Sequence, residues 1–167
     1  MKFELTTEMK QIGVTKLFRI KALISFGDVT IGDIGGYIEK EKNLSQTGEA
    51  WVYDNAWVYG EARVSGKARV YGEARVYDNA QVYDNARVYG EAWVSGKARV
   101  SGNCINIQGR WNITIMDGHI RIGCELHTIK QWFSYGDSRI SKMEPSALDW
   151  WLRNRKWLKL LCETRAE

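Results

Sequence analysis

A chain of 167 residues accommodates one main domain with a short appendage. Its 24 Lys/Arg against 20 Asp/Glu leave a net charge of +4, too modest to demand a nucleic-acid partner. No apolar run is long enough to span a bilayer and no signal-peptide pattern opens the chain, while Cys104, Cys124 and Cys162, odd in number and widely spaced, fit a reducing cytoplasm better than a disulfide framework.

Residues 1–28 predict N-terminal strands. Phe18, Ile20 and Ala22 alternate within the run Lys16 to Phe26, as in a strand that pairs with or caps a first coil. Val29, Ile31 and Gly35 then begin an irregular coil. Ile38 and Leu44 stand at six-residue steps before Ala50, but Lys40 and Gln46 fall where a regular repeat would place Val.

From Ala50 to Asn103 run nine hexapeptides of the form Ala-x-Val-[Tyr/Ser]-[Gly/Asp]-[Asn/Glu/Lys]. So strict a period marks a β-solenoid, in which each repeat is one unit and neighbours share a core. In Ala62-Arg63-Val64-Ser65-Gly66-Lys67 an extended chain puts Ala62 and Val64 on one face and Arg63 and Ser65 on the other. Gly66 and Lys67 form the corner, where Gly, Asp and Asn tolerate positive φ. A helix is excluded, because apolar residues recur at two and six rather than at three and four. Three hexapeptides make a coil of 18 residues, so the nine make three coils of a narrow triangular tube.

After Asn103 the repeat slips. Cys104 keeps an Ala position, but Asn106 takes a Val position, and Ile105, Ile107, Ile113 and Ile115 shift the register by one. Ile113-Thr114-Ile115 and Ile120-Arg121-Ile122 around Asp117-Gly118 read as a hairpin, over about 112–123, that covers the open end of the tube. The β-helix as a whole extends over 29–125. Residues 126–167 read as a linker and then a basic amphipathic helix over about 146–161, started by Ser146 and Asp149. Leu148, Trp151, Leu152, Leu158 and Leu161 form its apolar side, and Arg153, Lys156 and Lys159 its basic side. Residues 139–167 hold seven Lys/Arg against four Asp/Glu, which is +3 of the total charge. Such a helix packs on its own tube or a neighbouring subunit, or meets a membrane or nucleic acid.

Positions that vary within the repeat point outward and form ladders every eighteenth residue. Before each Val they are Trp51, Arg69, Arg87 on one side, Trp57, Arg75, Trp93 on the second and Arg63, Gln81, Arg99 on the third. After each Val, Tyr53, Tyr71 and Tyr89 stand on the first side, Tyr59, Tyr77 and Ser95 on the second, and Ser65, Tyr83 and Ser101 on the third. Exposed Trp, Tyr and Arg at this density fit a homo-oligomer interface, cross-rung stacking such as Arg75 between two Trp, or a ligand cleft. Arg offers a planar fork to phosphate or carboxylate, and an aromatic face stacks on a base.

The chain resembles the hexapeptide-repeat left-handed parallel β-helix, and more closely a phage and prophage family of such proteins. Arg19-Ile20-Lys21-Ala22-Leu23, Gly32-Asp33-Ile34-Gly35-Gly36-Tyr37-Ile38-Glu39, Asn43-Leu44-Ser45-Gln46, the Trp-Val-Tyr-Asp-Asn-Ala repeats and His127-Thr128-Ile129 carry the resemblance over roughly 18–132. It implies the fold, the left-handed sense and a mobile-element setting, and cyclic trimers are common for the fold. The resembled fold also carries acyltransferases and zinc enzymes. A zinc site needs three imidazoles, whereas only His119 and His127 exist, so no metal is expected. One general-base His would serve acyl transfer, and His127 is the better candidate, but no loop interrupts the repeats to shape a substrate pocket. Cys124 and His127, three apart, are a weak nucleophile signal, and the Tyr, Trp and Arg ladders do not suit ice binding.

The expectation is a non-enzymatic all-β solenoid, a cytoplasmic homotrimer without cofactor. It captures an anionic small molecule such as a nucleotide in clefts lined by Trp51, Arg69, Arg87, Tyr53, Tyr71, Tyr89, Trp57, Arg75 and Trp93. In a phage this could counter a host defence that signals by nucleotides. The alternatives are a structural or protein-binding solenoid and an acyltransferase using His127.

Overall fold

The computed structural model describes residues 1–164; residues 165–167, the end of the basic tail, lie outside the described residues. The chain divides into two compact units. The first holds Met1–Asp117 and Arg121–Leu126, and the second holds Gly118–Ile120 and the chain from His127 on.

The first unit begins with an antiparallel hairpin of β1 (Phe3–Ile12) and β2 (Thr15–Ala22), and β2 pairs antiparallel with β3 (Ile34–Ile38). The hairpin therefore extends one face of the tube rather than only closing its end. Nine two-residue strands come next, one in each hexapeptide: Trp51–Val52 (β4), Trp57–Val58 (β5), Arg63–Val64 (β6), Arg69–Val70 (β7), Arg75–Val76 (β8), Gln81–Val82 (β9), Arg87–Val88 (β10), Trp93–Val94 (β11) and Arg99–Val100 (β12). They form three faces in the predicted register. Trp51, Arg69 and Arg87 are parallel neighbours, as are Trp57, Arg75 and Trp93, and Arg63, Gln81 and Arg99. β3 precedes β5 on the second face, Tyr37 standing beside Trp57.

Every Ala and Val of the nine repeats is buried. The tube is narrow, so burial acts together with backbone bonds between coils, such as Trp51 N–H to Ala68 O at 3.0 Å and Tyr53 N–H to Val70 O at 2.7 Å. Corners turn through positive φ at the fifth repeat position, Gly66 at +69° and Asp78 at +57° being examples. At Gly66 an added Cβ would lie 2.8 Å from Asp84 N, so stacking of the corners forbids a side chain there. Where the corner carries Asp, its carboxylate accepts from the next coil: Gly72 N–H to Asp54 at 3.0 Å and Gly96 N–H to Asp78 at 3.0 Å.

The irregular coil solves its missing apolar residues with amides. A 3-10 turn spans Glu41–Asn43, and the buried Asn43 Nδ2 donates to Ala62 O at 2.9 Å and Gly60 O at 3.1 Å. Gln46 does not point into the tube. Its Oε1 accepts Lys2 N–H at 2.7 Å and so pairs with the N-terminal strand as backbone would. Val29 is buried as expected, but Ile31 is 63% exposed and takes no part in the core.

At the C-terminal end Cys104 keeps its Ala position and is buried. The register shift has a physical form: β13 (Ile105–Ile107) leaves the parallel ladder and pairs antiparallel with β14 (Ile113–Met116). β15 (His119–Ile122) and β16 (Glu125–Thr128) continue the same sheet after β14, and Asp117-Gly118 connects β14 to β15. Met116 and Leu126 pack on the tube core.

The second unit contains α1 (Ile129–Ser134), α2 (Asp137–Ser141) and α3 (Ala147–Glu163). The stretch expected to be a linker thus holds two short helices. The first has a signal in the sequence, a capping box in which Thr128 Oγ1 accepts Gln131 N–H at 3.1 Å. Trp151 and Leu158 of α3 are buried, as are Trp132 and Ile140, whereas Leu152 is exposed rather than packed. Ser146 stands at the start of α3 but its side chain bonds Glu144, and Asp149 pairs with Arg153 at 3.0 Å, so neither caps the helix as expected. Among the described residues no helix is long and apolar enough to cross a membrane.

Candidate functional site

The three faces differ in how far their own side chains satisfy one another. On the first, Trp51 does not reach the outer surface. It is 1% exposed, covered edge-on by Phe3 at 6.2 Å and Phe26 at 5.4 Å. The arm that precedes the coils folds over it, so Trp51 is core and not a ligand contact. Above it Arg69 donates to both Asp28 and Tyr53, while Tyr53 Oη donates to Asp28 at 2.9 Å. The Arg69 hydrogen bond holds the Asp28 carboxyl below its usual range, and burial, with that carboxylate alongside, pushes Tyr53 up to about 12. The charge of Arg69 is therefore balanced within the chain. A groove of about 400 Å³ remains here, lined by Asp28, Tyr53, Asp54, Arg69, Tyr71 and Arg87. It holds as many carboxylates as guanidinium groups. Tyr71 stacks on Tyr89 at 6.0 Å, and Tyr89 and Arg87 are exposed.

On the second face the predicted sandwich is present. The Arg75 guanidinium lies 4.4 Å from the Trp57 ring centroid and 5.3 Å from that of Trp93. The hairpin extends the stack: Lys10 stands 4.4 Å and Arg19 4.7 Å from Tyr37, which accompanies Trp57. Tyr59 and Tyr77 stack at 5.1 Å. On this face cations and aromatic rings alternate along the ladder.

The third face carries the largest of these grooves, about 590 Å³, although its sequence marks it only as the more polar side. Arg63, Gln81 and Arg99 rise along it, with Lys42, Ser45, Ser65 and Tyr83 beside them and Asp84 at a corner. Lys42 pairs with Glu61 at 2.7 Å. Among the described residues no carboxylate lies within ion-pair distance of Arg63 or Arg99, and Arg99 lies 5.6 Å from the Tyr83 ring. The outward ladder Arg63, Gln81, Arg99 is visible in the sequence.

His127 belongs to the second unit. Its ring meets Trp132 and Tyr135 edge-on, each at 5.2 Å, and Nδ1 is 3.1 Å from Tyr135 Oη. Aromatic neighbours hold it as a packing element there. Among the described residues no three His, Cys, Asp or Glu side chains gather as metal ligands.

A family model described as the YdcK beta-solenoid repeat matches residues 68–82 and 80–96. No curated protein matches the chain. Both matched windows fall within the regular coils, from Ala68 before β7 to the corner after β11, and there sequence period, strand register and family model agree. The chain is a repeat β-solenoid whose central coils are similar to the YdcK beta-solenoid repeat.

Proposed function

We propose that this solenoid is a non-enzymatic binding module that captures an anionic small molecule, a nucleotide being the favoured class, on the third face of its regular coils. The observation that carries the reading is the pair Arg63 and Arg99. They rise on one face, two coils apart, over a 590 Å³ groove and have no carboxylate partner among the described residues. The two strand steps between them set their backbones roughly 10 Å apart, a spacing that two anionic groups of one ligand can bridge. Tyr83 offers an aromatic face in the same groove. Capture of a nucleotide signal in a phage setting is the biological role this reading favours. Calorimetric titration with nucleoside mono-, di- and triphosphates tests it. The double variant Arg63→Ala/Arg99→Ala should weaken binding at least a hundredfold at unchanged melting temperature, while Arg75→Ala should bind as the wild type does. Equal affinity in the double variant refutes the assignment.

The first face favours a second reading, self-association into a homotrimer through exposed Tyr89 and Arg87, residue types enriched at interface centres. Sedimentation equilibrium is expected to give three times the chain mass, and Tyr89→Asp to give the monomer. A monomeric wild type removes this reading and leaves third-face capture standing.

A further inference from the structure

At the C-terminal end of the first unit a third cavity lies where the second-face ladder ends at Trp93. It measures about 270 Å³ and is lined by Trp93, Arg110, Trp111, Asn112, Thr114, Arg121 and Gly123. Its volume is near the lower end for small-molecule pockets, roughly 300 Å³. The unusual member is Arg121, 8% exposed. Its Nε donates to Gly123 O at 3.1 Å and its Nη1 to the buried Ser95 Oγ. The guanidinium also lies 5.6 Å from the Trp93 ring and 5.8 Å from that of Tyr77. These partners are all neutral. Among the described residues no carboxylate balances this charge, and a buried charge without a counter-charge is costly.

We propose that this cavity is a binding site for a planar ring bearing one anionic group, the anion seated on Arg121 and the ring against Trp93 and Trp111. Three features converge. Arg121 is fixed by two hydrogen bonds before any ligand arrives, so little rotamer freedom is lost on binding. Its charge is shielded from water, which strengthens pairing with carboxylate or phosphate. The walls supply two indole rings, and Arg110 lies 5.1 Å from the Trp111 ring, at the same cavity. The site is independent of the Arg63 and Arg99 groove.

Isothermal titration calorimetry with benzoate and phenyl phosphate as probes, and inorganic phosphate as the ring-free control, tests the assignment. At least one ring-bearing probe should bind one per chain, and binding should fall at least tenfold in Arg121→Gln and in Trp111→Ala. Tighter binding of benzoate or of phenyl phosphate identifies the anionic group. Arg63→Ala/Arg99→Ala should leave this affinity unchanged. Should Arg121→Gln not fold, Trp111→Ala carries the comparison alone. Failure of both probes to bind the wild type overturns the proposal. So does inorganic phosphate binding as tightly as phenyl phosphate, or undiminished affinity in the folded variants.

Discussion

Replacing Trp51 by Ala is expected to cost about 3–5 kcal/mol of stability, the range for emptying a buried Trp site. Small domains are stable by roughly 5–15 kcal/mol, so much of the fold's margin goes with this one ring. Three contacts set the size. Phe3 and Phe26 meet Trp51 edge-on, and behind it the β3 backbone approaches so closely that a Cβ at Gly35 would lie 2.8 Å from the indole. The site has no flexible neighbour on that side, so the cavity would not collapse. Urea unfolding monitored by circular dichroism checks it. An outward, ligand-facing Trp would give a loss below about 1 kcal/mol, and that result would return Trp51 to the surface. Anion affinity of the folded variant should stay at the wild-type value, because Arg63 and Arg99 stand on another face.

The same residue shows where the sequence is legible and where it is not. Periodicity is local information. Alternation within Ala62-Arg63-Val64 and the positive-φ corner at Gly66 come from six consecutive residues, and stacking them every eighteenth residue gives the register of all three ladders. The Arg75 sandwich comes from the same step, since its partners are column neighbours. The expectations that fail depend on chain that breaks the period. Phe3 and Phe26 cover Trp51, and Asp28 neutralises Arg69. No repeat rule says which column the N-terminal arm will cross. It crosses the first face, so Trp51 there is core and Arg69 is ion-paired, while Arg63 and Arg99 of the third face have no carboxylate partner among the described residues. The helix α1 escapes sequence reading for another reason: Thr128 and Gln131 spell its capping box, but apolar periodicity over six residues is too short to register.

Lys2 makes the second large prediction. Its side chain is 2% exposed, its Nζ donates to Ala50 O at 2.8 Å and stands 4.8 Å from the Phe26 ring, and no carboxylate pairs with it among the described residues. Burial lowers its pKa to about 8, against about 10.4 for a lysine in the unfolded chain. Below about pH 8 both states are protonated and the folded state carries the whole cost, roughly 3 kcal/mol. Between about pH 8 and pH 10 the unfolded chain binds more protons than the folded one, so stability rises with pH, by about 2 kcal/mol across that window. Tyr53 acts with the opposite sign near and above pH 10, since burial pushes it up to about 12 and the folded state keeps a proton that the unfolded chain loses. Comparison with Lys2→Met removes that contribution, because both proteins carry Tyr53. At pH 7 Lys2→Met should be the more stable by about 1–2 kcal/mol, the relief of desolvation exceeding the lost hydrogen bond to Ala50 O. Its advantage should vanish or reverse by about pH 10. A difference that stays constant from pH 7 to pH 10 would show that the ammonium is hydrated in the folded state, and that the N-terminal arm does not seal the first coil. The arm would then not shield Trp51 either, so this titration and the Trp51→Ala measurement must succeed or fail together.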